Sequence, residues 1–230
     1  MDVPTVSPAV LDALSTSERR VALAILFDRE ATVSVDELAS AVALRLDDAD
    51  ANGDTAGDED AGGETDGGAD GIRDGLGHVD LPTLADAGTV TFDPGTELVA
   101  AVDDPPVDRR WVERLVADHP DPAYDPVVAA LASERRQAVL YDLFTDGPAT
   151  EVELATTVAA HERETTPEAI TESTMRVVEI SLAHTHVPLL VEAGLVARDT
   201  ETYEVTADAT AWRSDPWVAA SPFAEWAAVD

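Results

Sequence analysis

Residues 184–206 read HTHVPLLVEAGLVARDTETYEVT. Val187, Leu190 and Val191 recur at helical spacing and stop at Ala193-Gly194. Gly194 suits a left-handed helix cap. Beyond it the period drops to two. Leu195-Val196-Ala197-Arg198 and Tyr203-Glu204-Val205-Thr206 read as short strands around the polar turn Asp199-Thr200-Glu201-Thr202. Upstream, a helical region runs from about Thr171 to Ala193, with Val177, Val178 and Leu182 as further apolar positions. Before it, Val139, Leu140, Leu143 and Phe144 form one stripe of a helix over 132–146. Gly147-Pro148 ends that helix. Thr150 and Glu153 then make a capping box for a second helix bearing Val152, Leu154, Ala155 and Val158. The order is three helices followed by a β-hairpin.

The same order occurs twice. Ser17-Glu18-Arg19-Arg20 and Glu37-Leu38-Ala39 recur as Ser133-Glu134-Arg135-Arg136 and Glu153-Leu154-Ala155, at an offset of 116. His78-x3-Pro82-x-Leu84-x2-Ala87-Gly88-x-Val90 recurs as His184-x3-Pro188-x-Leu190-x2-Ala193-Gly194-x-Val196, at an offset of 106. Agreement in order and spacing across two blocks identifies a tandem duplication. Ser34 and Glu37 repeat the capping box, and Thr89 to Phe92 with Glu97 to Ala100 repeat the hairpin. The expected organisation is a first domain over 8–102, a Pro- and Asp-rich connector with a short helix over 103–125, a second domain over 126–209 and a Trp-rich tail over 210–230. Within the first domain, residues 47–71 hold ten acidic residues, no basic one, and only Ala as an apolar type. Such a stretch buries too little surface to offset the entropy of ordering, which predicts a disordered acidic loop. It reads as a solvated insertion, or as an acidic arm mimicking DNA.

The chain has 230 residues, with 47 acidic against 14 basic, a formal charge of −33. Every basic residue is Arg; Lys and Cys are absent. Disulfides, thiolate nucleophiles and Cys-based metal sites are therefore excluded. So large a charge strains a compact fold by self-repulsion, and molar salt screens it over about 3 Å. The composition resembles that of cytosolic proteins of extreme halophiles, which implies a high-salt cytoplasm. The other reading is an acidic, partly disordered protein of ordinary cytosol. No apolar stretch approaches a membrane span, and Met1-Asp2-Val3-Pro4 does not read as a signal peptide.

The chemistry-bearing residues are few. There is no Gly-rich phosphate loop, no H-E-x-x-H and no G-x-S-x-G, so no enzyme, cofactor, small-molecule substrate or catalytic residue is expected. His184 and His186, two apart, do not share a helix face, and no metal site is expected from them. Arg19-Arg20 and Arg135-Arg136 read as structural ion pairs, for instance to the glutamate of the Glu-Leu-Ala helix, or as phosphate contacts. Two features predict irregularity. Pro82 and Pro188 fall inside the third helix, where Pro costs about 3 kcal/mol in an interior. That predicts a kink, or a split near His184 to His186. Gly71, Gly75 and Gly77 each cost about 1 kcal/mol against Ala, which predicts a shortened or frayed third helix in the first copy.

Leu190-x2-Ala193-Gly194-Leu195-Val196, preceded by His186-Val187, resembles the end of the recognition helix and the start of the wing in winged helix-turn-helix repressors of the ArsR and MarR type. The fuller pattern, SERR, then ELA, then HTHxPxLxxAG(L/V)V, resembles a haloarchaeal winged-helix domain family of largely unassigned function. The resemblance covers about residues 10–102 and 126–209. It implies an α+β, mainly helical fold of two tandem winged-helix domains. It also implies a DNA-binding transcriptional regulator, with the third helix in the major groove and the wing on the backbone. Repeat two is then the reader, offering Arg176, His184 and Thr185 on the third helix and Arg198 in the wing. Repeat one offers only Arg73 and Arg45 beside an acidic wing. No basic face of the usual kind is visible. The competing reading is a protein-interaction or scaffold module. Trp111, Trp212, Trp217 and Trp226 are its interface candidates, with a homodimer or another protein as partner. The same residues also serve for packing the chain against itself.

Overall fold

The computed structural model describes residues 7–29, 31–52, 66–119, 122–212, 214–221 and 223–224. The chain is mainly helical with two small antiparallel sheets. It divides into two compact units, Ala13–Asp125 and Pro126–Asp230, the second also taking in the residues up to Asp12. A short helix α1 (Pro8–Ala13) opens the described chain.

In the first unit, α2 (Ser17–Asp28) starts at Thr16, whose hydroxyl accepts from the Arg19 amide. Every residue from Arg20 to Phe27 is buried, so α2 is the central helix. A two-residue strand β1 (Val33–Ser34) leads into α3 (Val35–Asn52). The predicted capping box is present: the Glu37 amide donates to Ser34 Oγ, and the Glu37 carboxylate accepts from the Ser34 amide at 3.1 Å. These bonds hold the Glu37 carboxyl below its ordinary range. Then follow α4 (Asp66–Gly75), a π-turn at Leu76–Asp80, and α5 (Leu81–Asp86). The hairpin is β2 (Val90–Asp93) and β3 (Leu98–Ala101), and α6 (Arg109–Asp118), capped by Asp108, packs on α2.

The second unit repeats this order. It contains α7 (Asp125–Leu131), α8 (Glu134–Thr145), β4 (Ala149–Thr150) and α9 (Glu151–Glu162), the last capped by the Thr150–Glu153 box. Next come α10 (Glu172–Ser181), a π-turn at Leu182–His186, and α11 (Val187–Glu192). The hairpin β5 (Val196–Arg198) and β6 (Thr202–Val205) is followed by α12 (Ala207–Trp212) and α13 (Pro216–Ala220). Gly194 takes φ +72°, and the Leu195 amide reaches back to the Leu190 carbonyl, so the predicted helix cap is formed. Each hairpin gains a third strand that the sequence did not signal. The sheet orders are β1-β3-β2 and β4-β6-β5, with Val33 opposite Val99 and Ala149 opposite Tyr203.

Three sequence expectations change. The third helix of the first unit is not shortened: both units carry a ten-residue helix, a five-residue π-turn and a six-residue helix. The Arg73 guanidinium anchors α4, pairing with Asp36 on α3 and with Glu97 at 3.1 Å. The acidic stretch 47–71 is helical at both described ends, because α3 runs to Asn52 and α4 begins at Asp66. Ala, the strongest helix former, is interspersed with the acids at the end of α3, and α3 packs along α4. Residues 53–65 lie outside the described residues. In the segments 103–125 and 210–230, expected as connector and tail, the described residues include packed helices: α6 lies against α2, and Trp212 and Trp217 pack together beside Phe144.

At the prolines the regular α-helix is interrupted: a π-turn at Leu182–His186 separates α10 from α11, at the place where a split was expected, and one at Leu76–Asp80 separates α4 from α5. Pro188 has no amide hydrogen, and its ring clashes with the carbonyl four residues back in a regular α-helix. Here the preceding turn widens, and the Val187 amide donates to Leu182, five residues back. Leu81 does the same to Leu76 ahead of Pro82. The buried residues Leu182, Val187 and Leu190 are spaced five and then three apart, a pattern that stays on one side of a helix containing a π-turn.

The paired arginines are structural. Arg20 is fully buried, donates to the Leu14 carbonyl at 3.2 Å and pairs with Asp125 at 2.8 Å. Arg136, at the equivalent position, bonds the Ala129 and Ala130 carbonyls. Each thus closes the C-terminal end of the preceding helix, whose last carbonyls have no partner within it. Burial pushes the Asp125 carboxyl up even though Arg20 pulls it down, so desolvation outweighs attraction in this pair. Arg135 pairs with Glu162, at the far end of α9 from Glu153, and donates to Ser181 Oγ at 2.8 Å. Arg19 lies 3.6 Å from Asp80 in the π-turn.

One core position differs in kind between the copies. Leu26 on α2 is buried, while its counterpart on α8 is Asp142, 9 % exposed. Burial, with Asp146 and Glu153 nearby, pushes the Asp142 carboxyl up to about 6, against a hydrogen bond from Thr157. The folded state therefore binds this proton more tightly than the unfolded chain. The associated stability is full below pH 3.8 and is lost as pH rises through about 6. Asp142→Asn is expected to stabilise the protein by about 1 kcal/mol at pH 7.5, allowing for solvent screening, and by nothing at pH 4. Denaturant midpoints at the two pH values, in constant high KCl, check this. Arg20→Ala is expected to cost about 3 kcal/mol by stranding the Leu14 carbonyl and the Asp125 charge. A midpoint unchanged from wild type in the same titration contradicts that role.

Candidate functional site

The third helix of the second unit, α10 through α11, is its most distinctive surface. Thr171 caps it, its hydroxyl accepting from the Thr174 amide at 3.3 Å. Val178, Leu182, Val187 and Leu190 face the core. Three of the four expected DNA-contact residues stand on the opposite side: Arg176, His184 and Thr185 are all exposed. Among the described residues no carboxylate forms an ion pair with Arg176. Arg198 is exposed on the hairpin, and its guanidinium stacks 5.5 Å over the Tyr203 ring. Asp199, Glu201 and Glu204 are exposed around it, so the hairpin tip is acidic despite Arg198.

The two histidines of the π-turn point to different environments. His184 is exposed, whereas His186 is half-buried with Nδ1 3.4 Å from Ser133 Oγ. Burial, then Arg136 and Arg135, push the His186 imidazole below its ordinary value. Asp80 occupies the same place in the first unit and meets Arg19 there. Among the described residues no group of three or more His, Cys, Asp or Glu could hold a metal ion, and no helix is long and apolar enough to cross a membrane.

The described tryptophans are core residues. Trp111 is 1 % exposed and lies on α6 with the buried Val112, Leu115 and Val116. Trp212 stacks with Phe144 at 6.2 Å and meets Trp217 edge-on at 5.7 Å, and Phe223 completes the cluster. Their rings are spent on packing, which leaves no aromatic face of theirs at the surface. Trp226 lies outside the described residues. Trp111-Val112 and Trp217-Val218 recur at the same offset of 106 as the His-Pro block, so the duplication extends through α6 and α13.

Sequence reading missed the apolar part of the helix face. Val177 is 65 % exposed, Ile180 54 %, Leu189 41 % and Val191 44 %. In the sequence Val177 and Val191 read only as apolar positions of the helical region, alongside the buried Val178 and Leu190. The signal lay in the comparison of the copies. At the four equivalent positions the first unit has Gly71, Asp74, Thr83 and Ala85, and its one exposed large apolar residue on this helix is Val79. In a chain of charge −33, the third helix of the second unit therefore presents a grouped set of exposed apolar residues, with Arg176 among them and the exposed Glu172 and Glu192 at its two ends.

No curated protein and no solved structure matches the chain. One family model matches it twice, over residues 11–100 and 128–206, and these two segments coincide with the repeated helix-and-hairpin order of the two units. The chain belongs to that family, described as a domain of unknown function, DUF7344.

Proposed function

We propose that the chain is a non-enzymatic regulatory protein of a halophilic archaeal cytoplasm, built from two winged-helix domains, whose second domain is a protein-interaction module. Support for the architecture is the order helix, short strand, helix, third helix, hairpin in each unit, with the short strand hydrogen-bonded beside the hairpin's second strand. Support for the setting is the Lys-free, acid-rich composition. The observation that carries the interaction reading is the exposure of Val177, Ile180, Leu189 and Val191 on one helix of one copy. Exposed apolar residues scattered singly need no explanation, but a grouped set marks an interaction site. The first unit, without that set, is the structural partner of the pair.

DNA recognition by the same helix is the second reading. It is favoured by the exposure of Arg176, His184 and Thr185 together on a capped helix beside a hairpin bearing Arg198. Against it stand the acidic hairpin tip and the loss of counterion-release free energy in molar salt. The discriminating experiment uses two double variants of the full chain in about 2 M KCl, where long-range charge effects are screened. On the interaction reading, Val177→Asp with Ile180→Asp removes at least nine-tenths of whatever protein, another copy included, co-purifies with the tagged chain from its own cells. Retention of the same proteins by the variant overturns it. Saturable fluorescence anisotropy on promoter fragments, abolished by Arg176→Ala with Arg198→Ala, establishes DNA reading in its place.

A further inference from the structure

The helix face is arranged symmetrically about His184. Arg176 lies eight residues before it and Glu192 eight after. Ile180 lies four before and Pro188 four after, while Val177 and Val191 lie seven to either side. All seven residues are exposed. Leu189, also exposed, adds to the second half. A two-fold axis at His184, perpendicular to the helix, sets an antiparallel copy of this helix against the original. Each Ile180 then meets the partner's Pro188, and each Val177 meets the partner's Leu189–Val191 half. Each Arg176 meets the partner's Glu192, and the two His184 side chains adjoin on the axis. From this self-complementarity, which rests on the interaction reading, we propose that the occupant of the face is a second copy of this chain, paired helix to helix as an antiparallel dimer.

Charge favours this occupant. Among the described residues Arg176, on a helix that also carries the exposed Glu172 and the half-buried Glu179, forms no ion pair, and the dyad brings the exposed Glu192 of the second copy to it. Among the described residues the second unit alone has the apolar set, so each chain offers one self-complementary patch. A single isologous patch closes at two copies rather than propagating. The residues from Glu172 to Glu192 span about 30 Å at helical rise. A contact of that length belongs with small, reversible interfaces, with a dissociation constant of about 10 μM. Screening in molar salt removes the repulsion between two chains of −33 each and leaves apolar contact to decide.

The absence of Cys from the chain makes the geometry directly testable. In His184→Cys the new thiols adjoin across the axis, within the reach that a disulfide requires. Mild oxidation in about 2 M KCl is expected to convert most of that variant to a covalent dimer. Val152→Cys, exposed on α9 of the same unit, is expected to stay monomeric. Sedimentation of the uncrosslinked chain should show dimerisation that Val177→Asp with Ile180→Asp weakens at least tenfold. Arg176→Glu or Glu192→Arg alone should weaken it about threefold, and the two swaps combined should restore it. All substituted positions are exposed, and circular dichroism confirms folding of each variant. Monomeric behaviour up to about 200 μM, well above the expected constant, overturns the pairing. So does a dimer indifferent to the Asp pair, or equal crosslinking at positions 184 and 152. A monomer whose Asp-pair variant still loses a different co-purifying protein sinks the dimer alone. Loss of neither sinks the interaction reading with it.

Discussion

Pro82 and Pro188 each lack the amide hydrogen that a helix interior requires, and the third helix of each unit is shaped around that lack. The hydrogen-bond register slips by one residue immediately before the ring, giving a five-residue π-turn in both copies. The slip turns the following segment relative to a regular helix. It is what lets Val178, Leu182, Val187 and Leu190 share the buried side despite their uneven spacing. It therefore also decides which residues remain outside. Without the π-turn, Pro188, Leu189 and Glu192 would project in a direction different from that of Val177 and Ile180. The composition of the exposed face thus follows from a constraint inside the helix.

A second dependence runs through the arginines. A chain with 14 cations against 47 anions has positive charge to spend in few places. Much of it goes inward. Arg20 and Arg136 close helix ends in the interior, Arg19 and Arg135 hold the third helix against the first, and Arg73 ties α4 to α3 and to the hairpin. The Arg109 guanidinium lies 5.0 Å from the Phe27 ring centre and donates to the Phe27 carbonyl. Guanidinium groups suit these tasks because they stay charged when desolvated and donate in several directions at once. The acidic surface is thus left with few cations to offset it, since six of the 14 arginines are engaged in holding the fold and three of those bond backbone carbonyls.

Much of this was legible before any coordinates. The capping boxes Ser34–Glu37 and Thr150–Glu153, the cap at Gly194, and the hairpins all rest on short-range rules that the chain obeys. What escaped was either too short or too dependent on packing. β1 and β4 are two residues each, below the length at which alternation can show. The Trp-Val pair that marks α6 and α13 as equivalent is likewise only two residues long, inside segments that otherwise differ. The length of α4 was misjudged because helix propensity counts Gly71, Gly75 and Gly77 but not Arg73, whose partners are 37 and 24 residues away in the chain. Residue type marked Val177 and Val191 as apolar without giving their side of the helix. Each neighbours a buried residue, Val178 and Leu190, and at about 100° per residue that turns it off the core stripe. For the candidate site, the exposed Arg176, His184 and Thr185 were readable, whereas the apolar residues between and beside them were not.

The exchange of Leu26 for Asp142 at one core position has a consequence for the whole molecule. At this position the first interior carries an apolar side chain, and the second a carboxyl whose stabilising contribution fades as the medium moves from mildly acid to neutral. For a polypeptide with two such interiors, a single unfolding free energy describes only the case in which both open together. Duplication has thereby left one copy with a buried carboxyl where the other keeps a leucine, so two halves built on one plan respond differently to the same change of proton concentration at this position.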